Sequence, residues 1–430
     1  PESFSLRGLL RHVGNAEEWY VSRVVPPDSL PPEWEADESL PIFEFLEMER
    51  RTAVARLRQL TEEERGGVFY PTAWAYHPEE PWTARKALRR FLEHEREHVA
   101  QIREILDGRR HWLLARLAAE RARLLEQLLG LDDRALIRVP VIGDWTVKDV
   151  LAHVAAWDRW EARTMQSMVA GEVPDFSALH DLNASNAAFV APWRDRSLGE
   201  VLAELQAART DWVDWLEGLP EEEFFRQRSH DGDNWSFYNA PVRVQWEHDA
   251  GHAGEIADWR KATGAAGETG CKAVLLAALD AARCELLDAL DLVPEGERDS
   301  RRVCGQWTLK DLLGHITDWE RFGAEGLRLM AAGQSPKVEP VEDIDAWNQV
   351  HVKARREQPW ESVREDLHTT RRSLLAVLEE MGEAELAQRF PFPWGPEGTP
   401  YQWATVFFAH DREHAGDLQA WAGIDKSTDV

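Results

Sequence analysis

The stretch GDWTVKDVLAHVAAW (residues 143–157) returns as GQWTLKDLLGHITDW (residues 305–319). In each copy a Thr precedes an apolar run spaced by threes and fours, which is the pattern of an amphipathic helix. An Asp follows the Thr after three residues, and a His follows the Asp after four. Thr146 and Thr308 read as helix N-caps, with Asp149 and Asp311 closing capping boxes and favouring the positive end of the helix dipole. Asp149 and His153 then share a helix face, as do Asp311 and His315, so each carboxylate is also a candidate to hold the histidine's second nitrogen.

The repeat extends well beyond these helices. Trp145 to Trp307, His153 to His315, Asn186 to Asn348, His248 to His410 and His252 to His414 are all separated by 162 residues. The second and third parts of the chain are therefore an internal duplication with almost no net insertion. Nine of the fifteen histidines belong to one recurring arrangement: a single His, then a His-x-x-x-His pair. The sets are His12 with His94 and His98, His153 with His248 and His252, and His315 with His410 and His414. Two histidines four apart lie on one helix face. A third from a neighbouring helix completes a three-nitrogen site with coordination positions open to water or substrate. HEREH (residues 94–98) also fits the zincin pattern, with Glu95 as protease base. HDAGH (residues 248–252) and HDREH (residues 410–414) shorten that residue to Asp249 and Asp411, which argues against the pattern.

Helix periodicity predicts an all-α chain of three tandem four-helix bundles, with domains at residues 1–108, 109–266 and 267–430. In the second bundle, helices are expected over residues 112–129, 146–168, 198–216 and 242–259, with a long connection through Pro174, His180 and Asn183 crossing the bundle. Third-bundle helices are expected to start near Lys272, Thr308, Trp360 and Tyr401. The first bundle matches only the last three helices, over residues 5–22, 40–60 and 83–106. Sequence upstream of Pro1 supplies its missing first helix, or the exposed face packs against a neighbour. Boundaries are expected at Asp107-Gly108 and around residues 263–269, both polar, Gly-containing breaks.

The net charge of −27 argues against a nucleic-acid partner, since phosphate backbones select for Lys and Arg. No run of apolar residues is long enough for a membrane span, and the chain opens without the pattern of a signal peptide. Three cysteines, Cys271, Cys284 and Cys304, make neither a disulfide framework nor a Cys-x-x-Cys zinc site. A cytoplasmic protein, monomeric or homodimeric, is expected. The 21 tryptophans include Trp157 and Trp160 on the face of His153; Trp319 and Phe322 repeat this after His315. They are candidates to wall a pocket for an apolar or planar substrate, although bundle-core packing is the simpler account.

The pattern Trp-Thr-x-x-Asp-x-x-x-His followed by His-[Asp/Glu]-x-x-His resembles the DinB-like superfamily of metal-binding four-helix bundles. DLNASN (residues 181–186) and DIDAWN (residues 343–348) are similar to the segment before the third helix in that group. The resemblance implies that the nine histidines bind divalent metal: zinc or nickel first, iron as a further candidate. Its characterised members include S-transferases and isomerases that use low-molecular-weight thiols, a hydrolase, and the metal domain of sulfoxide synthases. The first bundle departs from the pattern, with Phe4, Ser5 and Gly8 at the Trp, Thr and Asp positions.

The expected function is a metal-dependent enzyme, of S-transferase or hydrolase type, acting on a small molecule with a thiol as a further cofactor candidate. Asp149, Asp249, Asp311 and Asp411 are the nearest proton acceptors. The alternative is a non-catalytic protein that sequesters a small molecule or serves as a scaffold, with metal-stabilised or vestigial sites.

Overall fold

Helices account for nearly all the regular structure in a computed structural model that describes residues 6–24, 40–71, 77–230, 233–336, 343–393 and 395–423. Phe4 and Ser5 lie outside the described residues. The chain divides into two compact units, Pro1–Arg109 and Arg110–Val430.

The first unit contains α1 (Leu6–Val21), α2 (Ile42–Arg58), the short α3 (Glu62–Gly66) and the N-terminal half of α4 (Ala84–Glu126). The expected break at Asp107-Gly108 does not interrupt the helix, although the compact units divide two residues later. A single glycine inside a helix costs only about 1 kcal/mol, too little to end a helix of 43 residues.

The second unit holds two bundles of the same design. The first of them uses the C-terminal half of α4, then α5 (Asp133–Ile137), β1 (Pro140–Ile142), β2 (Trp145–Thr146), α6 (Val147–Val169), α7 (Leu182–Val190), α8 (Leu198–Glu217), α9 (Glu221–Phe225), β3 (Arg228–His230), β4 (Asp233–Trp235) and α10 (Pro241–Thr263). The other uses α11 (Lys272–Leu290), β5 (Arg302–Cys304), β6 (Trp307–Thr308), α12 (Leu309–Ala331), α13 (Ile344–Arg355), α14 (Trp360–Glu380), α15 (Glu383–Leu386), β7 (Phe390–Pro391), β8 (Glu397–Gly398) and α16 (Pro400–Trp421). All four strand pairs are two-stranded antiparallel hairpins. The long connections contain helices of their own, α7 and α13, started by N-caps Asp181 and Asp343. The two bundles share one apolar core. Their junction is also polar: Arg412 bridges Glu285 and Glu126, and the Tyr401 hydroxyl accepts from Gly130 N at 3.0 Å.

At the centre of each complete bundle sits a charge quartet with one residue from each of the four long helices. In the second bundle Arg121 (α4) reaches Asp158 (α6) at 2.9 Å and Asp249 (α10) at 3.0 Å. Arg209 (α8) reaches the same two carboxylates at 2.9 and 3.1 Å. In the third, Arg283 (α11) pairs with Glu320 (α12) at 3.1 Å and Asp411 (α16) at 2.9 Å. Arg371 (α14) pairs with both as well. All eight residues are buried. Two guanidinium forks against two carboxylates balance their charges, and Asp158, Asp249 and Asp411 each accept more than one charge-assisted hydrogen bond.

The first bundle repeats part of this arrangement. Glu17 (α1), Arg50 (α2) and Glu95 (α4) form three corners of the same arrangement. The arginine that α11 contributes in the third bundle has no counterpart among the described residues of the first. The apolar positions facing that place are open. Leu88, Leu92 and Val99 are 48%, 58% and 46% exposed. Their register partners Ala404, Phe408 and Ala415 are 0%, 3% and 0% exposed.

Removing one arginine of a quartet leaves two buried carboxylates against a single guanidinium. Arg283→Met should lower stability by about 3–5 kcal/mol, read as a fall in the urea midpoint of the third bundle. Arg372→Ala, whose partner Glu365 is on the surface, should shift it by less than about 1 kcal/mol.

Candidate metal centre

His153 and His315 lie on the helices that follow the hairpins β1–β2 and β5–β6, His12 lies on α1, and each pair lies on its bundle's last long helix. In the second bundle Thr146 caps α6 by accepting from Asp149 N at 3.3 Å, while Asp149 accepts from Thr146 N at 3.0 Å. Thr308 and Asp311 repeat the box on α12. A cap of this kind contributes roughly 1 kcal/mol and sets the first turn, so that position seven of the helix, His153 or His315, points inward. Both are buried.

All nine predicted histidines meet in threes, as sequence spacing implies. In the second bundle His248 Nε2 lies 2.8 Å from His153 Nε2 and 3.0 Å from His252 Nε2. In the third, His410 Nε2 lies 3.0 Å from His315 Nε2 and 3.1 Å from His414 Nε2. In the first, His94 Nε2 lies 3.1 Å from His12 Nε2 and 2.9 Å from His98 Nε2. Burial, and then the neighbouring rings, push His153 and His315 down to about 3. Burial also takes His248 down to about 3, and His410 and His94 to about 4. His12, in the most open triad, is lowered as well, by burial and His98.

The outer nitrogens decide which tautomer each ring adopts, and here the sequence reading needs correcting. Asp149 and Asp311 serve the helix caps and do not hold the histidines. His315 Nδ1 instead donates to Asn348 Oδ1 at 3.2 Å, and Trp319 Nε1 donates to the same oxygen at 2.9 Å. An indole N–H can only donate, so the Asn348 oxygen must face it. His315 must then carry its proton on Nδ1 and turn the Nε2 lone pair inward. His414 Nδ1 donates to Asp417 Oδ2 at 3.0 Å, and His252 Nδ1 to Glu255 Oε2 at 2.7 Å. His98 Nδ1 faces Gln101 Oε1 at 2.6 Å. In the second bundle Asn186 accepts from Trp157 Nε1 at 2.9 Å, yet His153 Nδ1 has no partner among the described residues.

Asp249 and Asp411 also need a different role. They sit in the quartets, each gripped by two arginines, and are not available as proton acceptors. Glu95 pairs with Arg50, so the zincin-like match of HEREH has no free base. The residues that sequence reasoning missed are Asp417, Glu255 and Gln101, each three positions after the last histidine. Residues three apart on a helix are neighbours, which is the signal that points to them. Cys304 also touches this set: its thiol donates to Asp417 Oδ2 at 3.4 Å. Burial and the Asp417 carboxylate push that thiol up to about 11, so it stays protonated.

This donor set suits a metal ion. In the third bundle the outer hydrogen bonds leave the Nε2 lone pairs of His315 and His414 facing His410 Nε2, a convergent set of nitrogen donors. Nitrogens so spaced can each stand about 2.1 Å from a common ion. The walls differ between copies. The third triad borders a cavity of about 660 Å³ whose lining includes Trp319 and Phe322. Trp319 and Phe322 thus line open volume as well as the bundle.

No helix among the described residues is long and apolar enough to cross a membrane. A family model described as the DinB superfamily matches residues 1–102, 116–256 and 278–418. No curated protein and no solved structure matches the chain. Three matches covering most of the chain, each containing one histidine triad, make this a member of the DinB superfamily of metal-binding helical proteins.

Proposed function

We propose that the chain is a divalent-metal protein of three tandem bundles, divided near residues 108 and 266, and that it acts as a metal-dependent enzyme on a small molecule. One observation carries this reading. Each triad converges through Nε2, and in the third bundle two of the three rings are locked from outside with their lone pairs inward. Three imidazoles suit zinc, nickel, iron and copper alike; the family resemblance puts zinc or nickel first, with iron as a further candidate. A divalent ion there would act as a Lewis acid on a bound water or thiol, which suits S-transfer or hydrolysis.

The protein's own groups supply orientation and water exclusion. Trp319 and Asn348 hold His315, Asp417 holds His414, and aromatic walls bound the third cavity. Glu413 is the carboxylate in the lining of that cavity and is the residue placed to take a proton from a bound thiol or water. The third bundle is therefore the better candidate for turnover, and a low-molecular-weight thiol is the co-substrate to screen first. Binding of a small molecule with no product from any thiol or water reaction would instead support sequestration.

Elemental analysis of protein purified without a metal-affinity column should find two to three divalent ions per chain. His315→Ala and His153→Ala should each remove one ion while helical circular dichroism is retained, and turnover should fall at least a hundredfold in His315→Ala. No bound metal after reconstitution with zinc, nickel and iron would sink the proposal. Asn348→Leu should weaken metal at the third site by about ten- to a hundredfold, measured by chelator competition. Asn186→Leu should do much less, since His153 lacks the corresponding hydrogen bond.

A further inference from the structure

The cavity of about 660 Å³ at the third triad has an unusual construction. On one side stand Trp319 and Phe322 of α12; on the other stand Trp403, Val406 and Phe407 of α16. The polar side chains in its lining are the three histidines, Asn348 and Glu413. Such a space favours a ligand with an apolar ring system and a single polar end.

Two glycines keep it open. A Cβ on Gly323 would lie 1.9 Å from Phe407 Cζ, and one on Gly326 would lie 2.3 Å from Trp403 Cζ2. Trp403 Nε1 also donates to Gly323 O at 3.0 Å. The two α16 rings therefore press against bare α12 backbone. A methyl group at either glycine would displace a ring, and the unfilled volume beside it is the cavity. In the second bundle the corresponding residues are Glu161 and Thr164 on α6, with Pro241 and Gln245 on α10. That bundle keeps the histidines and the α6 aromatics Trp157 and Trp160, and lacks the aromatic side that α16 supplies in the third.

Asn348 adds the polar end. Its oxygen already accepts from Trp319 and His315, while its NH2 group has no partner among the described residues. It can donate to an acceptor held near the triad.

We infer that the third-bundle site, and not the second, takes a flat aromatic molecule bearing one oxygen- or sulfur-donor head. The rings bind the aromatic wall, and the head lies between the triad and the Asn348 NH2. The wall stands without a metal, whereas the donor head presupposes the metal centre proposed above.

Calorimetric titration of the full chain, zinc-loaded and metal-free, tests this with naphthalene-2-thiol and with cyclohexanethiol as the non-planar comparison. Val406 and Val244 are 52% and 54% exposed, occupy equivalent positions, and tolerate a larger residue without disturbing the core. One naphthalene-2-thiol should bind per zinc-loaded chain, at least tenfold tighter than cyclohexanethiol. Val406→Trp and Gly323→Ala should each weaken it at least tenfold, with zinc content unchanged, and Val244→Trp should leave it unaltered. Equal binding of the two thiols, or binding insensitive to Val406→Trp, overturns the inference even if zinc is bound. A protein that takes up no zinc but binds naphthalene-2-thiol with the same sensitivity to Val406→Trp upholds the aromatic site and overturns the metal reading instead.

Discussion

Buried charge holds this architecture in register. Each complete bundle places two arginines and two carboxylates at its centre, one from each long helix, and no helix can slide without breaking two ion pairs. Desolvating four charges is costly, and an apolar core of equal volume would be at least as stable. What the quartet adds is geometric: a guanidinium fork accepts its partners in one plane and at one spacing. Apolar packing alone would tolerate a shift of a helix along its axis far better.

The histidine site inherits that precision. Asp249 and Asp411 are the residues immediately after His248 and His410, so the quartet clamps the same helical turn that presents the first histidine of each pair. Capping boxes and hairpins set the opposing helix, and Trp145 and Trp307 close over His153 and His315 at ring-centroid distances of 5.1 and 4.7 Å. Among the described residues the first bundle has a triad and three corners of the quartet. Its Arg50 is 45% exposed where Arg209 and Arg371 are buried, and its His12 is the exposed member of the triads.

Duplication preserved the inward nitrogens and let their surroundings diverge. Cys304, Asp417, Gly323 and Phe407 in the third bundle stand where the second has Ile142, Glu255, Glu161 and Gln245. A histidine that leaves the triad removes a donor outright, so these positions have little freedom. A wall residue alters only what fits beside the triad, and there the copies differ most.

By itself the sequence determined the helices, the threefold repetition and the membership of each histidine triad. Periodicity, N-caps and the four-residue pair are local properties, and a duplication repeats them at a constant offset. The starts of α6, α8, α11, α12, α14 and α16 all fall within a residue or so of their expected places for that reason. Only the tertiary structure decided which group holds each histidine's outer nitrogen, that Asp249 and Asp411 belong to quartets, that α4 runs unbroken past Gly108, and that Gly323 and Gly326 open a wall. Asp149 and His153 share a helix face, yet a carboxylate in the first turn is nearer to unsatisfied backbone N–H groups than to a ring four residues on, and the cap claims it. Asn348 reaches His315 from 33 positions away in the sequence, and the quartets join four helices. Contacts of that kind depend on how helices cross, a quantity that side-chain spacing along one helix does not contain.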